Sequence, residues 1–291
     1  ADVVIDNYED GDTIWVHDYQ LLLLPQLIKD KKPNATIGFF LHIPFPSYEI
    51  FRTFPWRKEI LIGMLGADLL GFHTYDYERH FLSSVKRILR LEVHFNEISY
   101  RDKIVKVDSF PMGIDYDKFH SIALEQNHKN KEKSELRNRL EEHTLNGKKL
   151  ILSIDRMDYT KGIPNRIKAF EYFLDKYPKY KEKVRLIMLA VPSRSNVRQY
   201  QKLKRETDEL VGRINGKFAT VSWTPIWYFY RSMPFEKLID LYISSDVALI
   251  TPIRDGMNLV AKEYVATRTN NDGVLILSEM AGASLEMNEA L

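Results

Sequence analysis

The chain has 291 residues, of which 44% are hydrophobic and 28% are charged, and this balance excludes a disordered or low-complexity scaffold. Its 42 basic and 40 acidic side chains give a net charge of +2, so the whole surface attracts neither nucleic acid nor an anionic membrane. Cysteine is absent, which excludes disulfides and thiol catalysis and favours a cytoplasmic protein.

Short runs of β-branched, aliphatic or aromatic residues predict strands, and amphipathic stretches between them predict helices. In chain order the predicted strands are 13–16, 36–43, 69–72, 104–109, 149–155, 185–191, 220–223, 247–251 and 274–278. The predicted helices are about 21–29, 56–65, 76–91, 132–142, 163–176, 197–211, 235–244 and 258–267. Apolar strands that alternate with helices are typical of a parallel sheet covered on both faces, so we expect an α/β fold.

A change of composition between residues 116 and 147 predicts a domain boundary. The segment 127–134 (NHKNKEKS) is polar and rich in charge, as expected of a solvated linker and helix face. We therefore expect one domain over residues 1–125 and a second over residues 126–291. No signal peptide is visible at the start of the chain, and the absence of an initiator Met suggests a fragment.

Charged and imidazole side chains follow the predicted strands in both halves. They are His17, Asp18, His42 and His73 in the first half, and Arg156, Asp158, Lys161, Arg194, Arg254 and Asp255 in the second, where the polar Ser193 precedes Arg194. Ligands bind at the carboxyl ends of parallel strands, so we expect a site at this edge of each sheet and, if the edges face each other, an interdomain cleft. Each residue taken singly has the alternative of a helix cap or a loop salt bridge.

The segment 156–162 (RMDYTKG), here called the phosphate loop, runs from a strand end into a helix start. Arg156 and Lys161 would meet at the positive pole of that helix, while Gly162 lets the backbone come close, which predicts phosphate binding. Neither a Walker loop nor a G-x-G-x-x-G motif occurs. A nucleotide diphosphate held without a glycine-rich loop is the best interpretation.

The segment 255–263 (DGMNLVAKE) predicts a turn followed by a helix whose first N–H groups attract an anion. Asp255 and Glu263 would lie near one helix face, where one carboxylate can reach a sugar and the other a ribose hydroxyl. The alternative makes Asp255 the helix N-cap and Glu263 a surface partner of Lys262 or Arg268.

Together these motifs resemble the trehalose-6-phosphate synthase family. The matching blocks, in order along the whole chain, are HDY at 17–19, LHIPFPS at 41–47, GFHTY at 71–75, RMDYTKG at 156–162, RING at 213–216 and RDGMNLVAKEY at 254–264. The resemblance implies two Rossmann-like domains of the GT-B type, the first incomplete, that face each other across a cleft. It also implies a retaining transfer of glucose from UDP-glucose to glucose 6-phosphate, which gives trehalose 6-phosphate and UDP.

The resemblance assigns the donor nucleotide to the second domain. Arg156 and Lys161 would clamp the UDP diphosphate, and Glu263 would bind the ribose. Backbone groups beside them would support the donor, namely those of Gly256, Met257, Asn258, Leu259 and Val260.

By the same resemblance, Asp255 and His42 would hold hydroxyls of the donor glucose, and Asp18 would lie beside both sugars. Arg194 would contact the phosphate of glucose 6-phosphate. The family is thought to react on one sugar face, with the departing phosphate taking the acceptor's proton, so the protein mainly positions reactants and stabilises the leaving diphosphate.

Two alternatives remain open at this point. Asp10-Gly-Asp12 and Asp115-Tyr-Asp117 have the D-x-D form of metal-dependent glycosyltransferases, but they are better interpreted as a turn and a hinge, so no metal cofactor is expected. A catalytically silent, sugar-phosphate-sensing relative is the second alternative. The expected partners are UDP-glucose and glucose 6-phosphate, with a homo-oligomer or a fused phosphatase domain left open for the full-length protein.

Overall fold

The computed structural model describes residues 1–128 and 133–291. Within them the chain divides into two compact units, Ala1–Met112 and Gly113–Leu291. Each unit is built on its own sheet, and the α/β fold class is confirmed. Across these two described ranges, every helix is too short or too polar to cross a bilayer.

The first unit, all of whose residues are described, contains a sheet of six strands in the order β1-β2-β3-β6-β5-β4. The strands are β1 (Thr13–His17), β2 (Thr36–Phe40), β3 (Leu69–Phe72), β4 (Val93–His94), β5 (Glu97–Tyr100) and β6 (Lys103–Ser109). β1, β2, β3 and β6 are parallel, whereas β4 and β5 form an antiparallel hairpin on the edge. The helices are α1 (Asp2–Asn7), α2 (Leu24–Lys29), α3 (Tyr48–Phe51), α4 (Arg57–Met64) and α5 (Tyr75–Ser84).

One face of this first sheet carries the apolar core, and the other face is largely exposed. Val16, Phe39 and Leu70 are buried on the core side. Successive strand residues point to opposite faces, and Trp15 and Leu69 on the other side are 69% and 40% exposed. We expected both faces of the sheet to be covered, but within residues 1–112 only one face is.

Among the described residues of the second unit, five parallel strands form a sheet in the order β11-β10-β7-β8-β9. The strands are β7 (Lys149–Arg156), β8 (Val184–Val191), β9 (Ile226–Tyr230), β10 (Val247–Ile250) and β11 (Val274–Leu277). The helices are α6 (Tyr116–His128), α7 (Glu135–Thr144), α8 (Ile163–Lys176), α9 (Arg198–Phe218), α10 (Phe235–Ser244) and α11 (Leu259–Thr267). Alternate residues of β8 enter separate cores, so this sheet is covered on both faces.

The strand predicted at 220–223 is wrong. Thr220 and Trp223 exchange backbone hydrogen bonds in a tight turn, and the indole of Trp223 is buried and donates to the carbonyl of Val184 at 3.0 Å. Pro225, which lacks an N–H, separates this turn from β9. Residues 220–223 therefore form a turn whose Trp223 side chain is buried in the core, and the edge strand begins at Ile226.

The boundary between the units lies between Met112 and Gly113, whereas the sequence placed it after residue 125. That predicted position falls inside α6, a helix the sequence analysis did not predict, which belongs to the second unit. Nδ1 of His120 lies 3.1 Å from the carbonyl oxygen of Ala266 in α11, a contact that no local pattern reveals. Residues 129–132 of the predicted linker, including Glu132 of the predicted helix 132–142, lie outside the described residues.

A substitution at Gly66 tests how closely the backbone segments of the first unit pack. A Cβ at this position would lie 2.1 Å from the backbone nitrogen of Gln26 in α2, so we expect Gly66→Ala to lower the free energy of unfolding by about 1–3 kcal/mol. Urea denaturation would measure the loss. Gly113→Ala is the matched control, because a Cβ at Gly113 meets nothing within 4 Å. Equal stability of the two variants would contradict this packing.

Candidate functional site

The loops that follow β7 and β10 lie side by side, because these strands are neighbours in the second sheet. The carbonyl of Thr160 in the phosphate loop accepts hydrogen bonds from the N–H groups of Ile253 at 2.8 Å and Arg254 at 3.3 Å. Gly162 has a φ of +66°, and a Cβ there would lie 2.7 Å from the carbonyl oxygen of Thr251. The phosphate loop therefore packs directly against loop 251–258.

A buried arginine joins the same loops. Arg166 in α8 has none of its side chain exposed, and its Nη1 donates to Asp155 Oδ2 at 2.6 Å and to Ser153 Oγ at 2.5 Å. Its Nη2 donates to the carbonyl of Lys161 at 3.0 Å, and its Nε donates to the hydroxyl of Thr251 at 3.1 Å. One cation thus connects β7, the phosphate loop and loop 251–258.

Lys161 and Asp255 form an ion pair where the two loops meet. Nζ of Lys161 lies 2.5 Å from Oδ2 of Asp255, and the two side chains are only 13% and 14% exposed. The side-chain amide of Asn258 donates to the same oxygen at 2.9 Å. The structure therefore brings together two residues that the sequence singled out in separate motifs.

The first turn of α11 presents backbone N–H groups next to this ion pair. Asn258 is the N-cap, with a φ of 79°, and its side-chain oxygen accepts from the N–H of Ala261 at 3.1 Å. Helical geometry leaves the N–H groups of Leu259 and Val260 without an acceptor inside the helix. The alternative that made Asp255 the cap is wrong, because Asn258 holds that position.

The backbone of loop 251–258 is held by the segment that follows β11. The N–H of Asp255 donates to the carbonyl of Met280 at 3.0 Å, and the N–H of Gly282 donates to the carbonyl of Asp255 at 3.1 Å. A Cβ on Gly282 would lie 2.1 Å from the carbonyl oxygen of Gly256. This close approach fixes the backbone around Gly256 and requires a glycine at 282.

Glu263 lies further along α11, where a tyrosine holds its carboxylate. The hydroxyl of the buried Tyr242 donates to Oε2 of Glu263 at 2.5 Å. Burial raises the pKa of Glu263 above its ordinary value, and this hydrogen bond opposes the rise. Lys262 and Arg268, the alternative partners considered for Glu263, form ion pairs with other acids, Glu286 and Asp272.

Arg156 and Arg194 follow neighbouring strands of the same sheet. Arg156 is the last residue of β7, is exposed, and pairs in register with Val191 at the end of β8. Arg194 is exposed in the next loop, has a φ of 45°, and donates from Nη1 to the hydroxyl of Tyr200 at 3.2 Å. Both guanidinium groups thus lie on segments at the carboxyl edge of the sheet.

The acids considered as surface partners of Arg194 bind lysines. Glu206 pairs with Lys168 at 3.3 Å, and Asp208 pairs with Lys204 one turn earlier in α9.

In the first unit, Asp18 and His42 follow the adjacent strands β1 and β2. Nδ1 of His17 and Nε2 of His42 lie 3.0 Å apart, so one ring donates and the other accepts. Burial lowers the pKa of His42, and the nearby Asp18 acts in the opposite direction. Oδ1 of Asp18 is buried and has no hydrogen-bond partner among the described residues, which favours a role in ligand binding.

The described part of the chain contains no group of three or more His, Asp or Glu side chains that could hold a metal ion. One carboxylate of each D-x-D motif accepts a local hydrogen bond. Asp12 accepts from the N–H of Glu9 at 3.0 Å, and Asp115 accepts from the N–H of Lys118 at 3.1 Å at the start of α6. These contacts fit a turn and a helix start.

Sequence reasoning missed Arg166 and Tyr242. Arg166 did leave a signal, because it interrupts the apolar stripe of Ile163, Ile167 and Phe170 at helical spacing, where a charge needs a buried partner. Tyr242 left none, since its hydrogen-bond acceptor comes from another helix.

Arg166→Met tests the buried cation. The substitution leaves Asp155 buried without its partner, and breaking such a pair costs about 3–5 kcal/mol of unfolding free energy. Guanidinium denaturation would measure this loss, with Arg213→Met as the control, because Arg213 pairs with Glu171 while its own side chain is 53% exposed. We expect a much smaller loss for the control, and comparable losses would contradict a special role for Arg166.

Residues 1–291 match glycosyltransferase family 20. An alpha,alpha-trehalose-phosphate synthase (UDP-forming) A from Dictyostelium discoideum is 50% identical over 293 residues, covering 100% of this chain and 39% of that protein. A UDP-forming alpha,alpha-trehalose-phosphate synthase from Pichia angusta is 49% identical over 296 residues, covering 99% of this chain and 61% of that protein. The chain therefore spans less than two thirds of the length of these relatives.

Solved structures are also similar. An E. coli trehalose-6-phosphate structure with bound UDP-2-fluoro glucose has a TM-score of 0.92 at 37% identity, over 100% of this chain and 63% of that one. A Burkholderia xenovorans alpha,alpha-trehalose-phosphate synthase (UDP-forming) in complex with glucose-6-phosphate has a TM-score of 0.90 at 34% identity, over 99% and 63%. The N-terminal domain of a Candida albicans trehalose-6-phosphate phosphatase has a TM-score of 0.87 at 37% identity, over 100% and 60%. These similarities confirm the predicted GT-B fold class.

Proposed function

Because this chain belongs to glycosyltransferase family 20, we propose that it carries the transferase activity of a UDP-forming trehalose-phosphate synthase. In this reaction the anomeric carbon of UDP-glucose loses its bond to the diphosphate and gains one to a hydroxyl oxygen of glucose 6-phosphate on the same face. The hydroxyl proton passes to the departing phosphate. The products are trehalose 6-phosphate and UDP.

The observation that carries the proposal is the meeting of Lys161, Asp255 and the first turn of α11. An ammonium group beside the N–H groups of a helix start favours a phosphorylated ligand. Arg156, from the same phosphate loop, would supply a second cation. Negative charge grows on the diphosphate as its bond to glucose breaks, so preorganised cations lower the barrier.

The remaining predicted site residues fit the sugar and ribose parts of the proposed substrates. The Glu263 carboxylate, held by Tyr242, would accept a hydrogen bond from the ribose. Asp255 and His42 would bind hydroxyls of the donor glucose, and Asp18 has a buried oxygen suited to a sugar hydroxyl.

The proposal needs no carboxylate nucleophile, and it assigns charge neutralisation to side chains rather than to a metal ion. Both substrates are phosphorylated and do not cross membranes unaided, which is the reason to propose a cytoplasmic location. A homo-oligomer and a fused phosphatase domain remain predictions for the full-length protein.

A silent, sugar-phosphate-binding role is the second candidate, because a similar domain also occurs in a protein named a trehalose-6-phosphate phosphatase. Such a protein would bind a sugar phosphate without releasing UDP. Turnover therefore separates the two candidates.

An assay of UDP release by the full-length protein tests the function. We expect release that depends on both UDP-glucose and glucose 6-phosphate, and a loss of about 10²–10³ in turnover for Arg156→Ala or Lys161→Ala at saturating donor. Lys168→Ala, which alters an exposed ion pair on α8, is the control. Binding of glucose 6-phosphate without UDP release would favour the silent role. Normal turnover in both Arg156→Ala and Lys161→Ala would show that these two side chains have only a structural role.

Arg194→Ala separates recognition of the acceptor from chemistry on the donor. If Arg194 binds the acceptor phosphate, its loss removes a charge-assisted contact and raises the KM for glucose 6-phosphate roughly tenfold to a hundredfold. Calorimetric titration should find the Kd for UDP nearly unchanged. An unchanged acceptor KM, or an equal loss of UDP affinity, would remove Arg194 from the acceptor site.

A further inference from the structure

A chain of hydrogen bonds joins the loop after β8 to the phosphate loop. Nη1 of Arg194 donates to the hydroxyl of Tyr200 at 3.2 Å, and that hydroxyl donates to Oδ2 of Asp158 at 2.8 Å. Oδ1 of Asp158 accepts from the N–H and the hydroxyl of Thr160, at 2.9 Å and 2.7 Å. The tyrosine hydroxyl thus directs its only proton to Asp158 and a lone pair to Arg194.

The environment of Asp158 fixes this direction. Burial by itself would raise the pKa of Asp158, but the hydrogen bonds from Thr160 and Tyr200 outweigh it and lower the pKa below its ordinary value. At neutral pH the carboxylate is therefore charged and can only accept. Tyr200 is 5% exposed, so water competes little for its hydroxyl.

Arg194 has an unusual backbone for a residue with a side chain. Its φ of 45° lies in the left-handed region, which is sterically unfavourable for a residue with a Cβ. Such conformations persist where surrounding contacts determine them, and they cluster at ligand sites. The guanidinium carbon also lies 5.8 Å from the centre of the Tyr200 ring, so both ring and hydroxyl contact the same cation.

We propose that Tyr200 is a positioning residue for acceptor recognition, whose hydroxyl orients the Arg194 guanidinium toward the phosphate of the acceptor sugar. This inference rests on the proposed function and adds a residue that does not itself touch the phosphate. The network continues from Thr160, whose carbonyl accepts from Ile253 and Arg254. Tyr200 therefore ties the acceptor arginine to the loops that carry Lys161 and Asp255.

Tyr200→Phe in the full-length protein removes the hydroxyl and keeps the ring. The hydroxyl only orients the guanidinium and does not itself bind the phosphate, so we expect the KM for glucose 6-phosphate to rise roughly fivefold, less than for loss of Arg194, with kcat and the Kd for UDP within about twofold of wild type. Tyr264→Phe is the matched control, because Tyr264 is equally buried and its hydroxyl donates at 3.2 Å to the carbonyls of Ser245 and Asp246. The control should keep the wild-type KM.

A double-mutant cycle distinguishes positioning from a general loss of packing. In an Arg194→Ala background, Tyr200→Phe should produce no further rise in the acceptor KM, because the group that it orients is gone. Additive effects, or a wild-type KM in the single variant, would overturn the inference.

Calorimetric titration with glucose 6-phosphate gives a readout that does not depend on turnover. If the wild-type protein binds glucose 6-phosphate without transferring glucose, the transferase proposal fails, and weaker binding by Tyr200→Phe would still support the role of Tyr200. If transfer is normal and Tyr200→Phe binds glucose 6-phosphate like wild type, only the role of Tyr200 is refuted. Absence of glucose 6-phosphate binding in the wild-type protein would refute both.

Discussion

The candidate site of the second unit depends on one buried cation, the guanidinium of Arg166. Taking an arginine out of water costs several kcal/mol, and the protein offsets this cost only by satisfying the group with Asp155 and with oxygens from neighbouring segments. Because those oxygens belong to β7, the phosphate loop and loop 251–258, none of the three can shift without leaving a buried charge unsatisfied. Because Lys161 and Asp255 lie on two of these segments, the same constraint keeps their side chains close enough to form an ion pair.

The part of the site that was predictable from sequence follows from the geometry of parallel sheets. Neighbouring parallel strands end at the same edge, so residues directly after β7 and β10 must meet, although their motifs are far apart in the chain. This is why Lys161 and Asp255 were expected together and are found as an ion pair. The same rule places Asp18 and His42 at the ends of adjacent strands in the first unit.

What could not be predicted depends on contacts between distant segments. Tyr200 and Tyr242 act through single hydroxyl groups on acids from other elements, and a tyrosine in a helix has the same local pattern whether its hydroxyl is bonded or not. Trp223 is apolar in a β-like run, yet it fills a core pocket beside β8 instead of extending a strand. The helix α6 was missed because its packing partner, α11, is far along the chain.

The charges in the second unit also explain why the proposed reaction needs more than one cation. An ion pair between Lys161 and Asp255 carries no net charge, so in the proposed complex Lys161 alone cannot neutralise a diphosphate beside it. In that proposed complex Arg156 and the positive end of the α11 dipole would supply the missing charge. Lys161 and Asn258 both bind Oδ2 of Asp255, which fixes the orientation of the carboxylate. In the proposed complex Asp255 would then hold sugar hydroxyls, while the cations and amides would bind the phosphates.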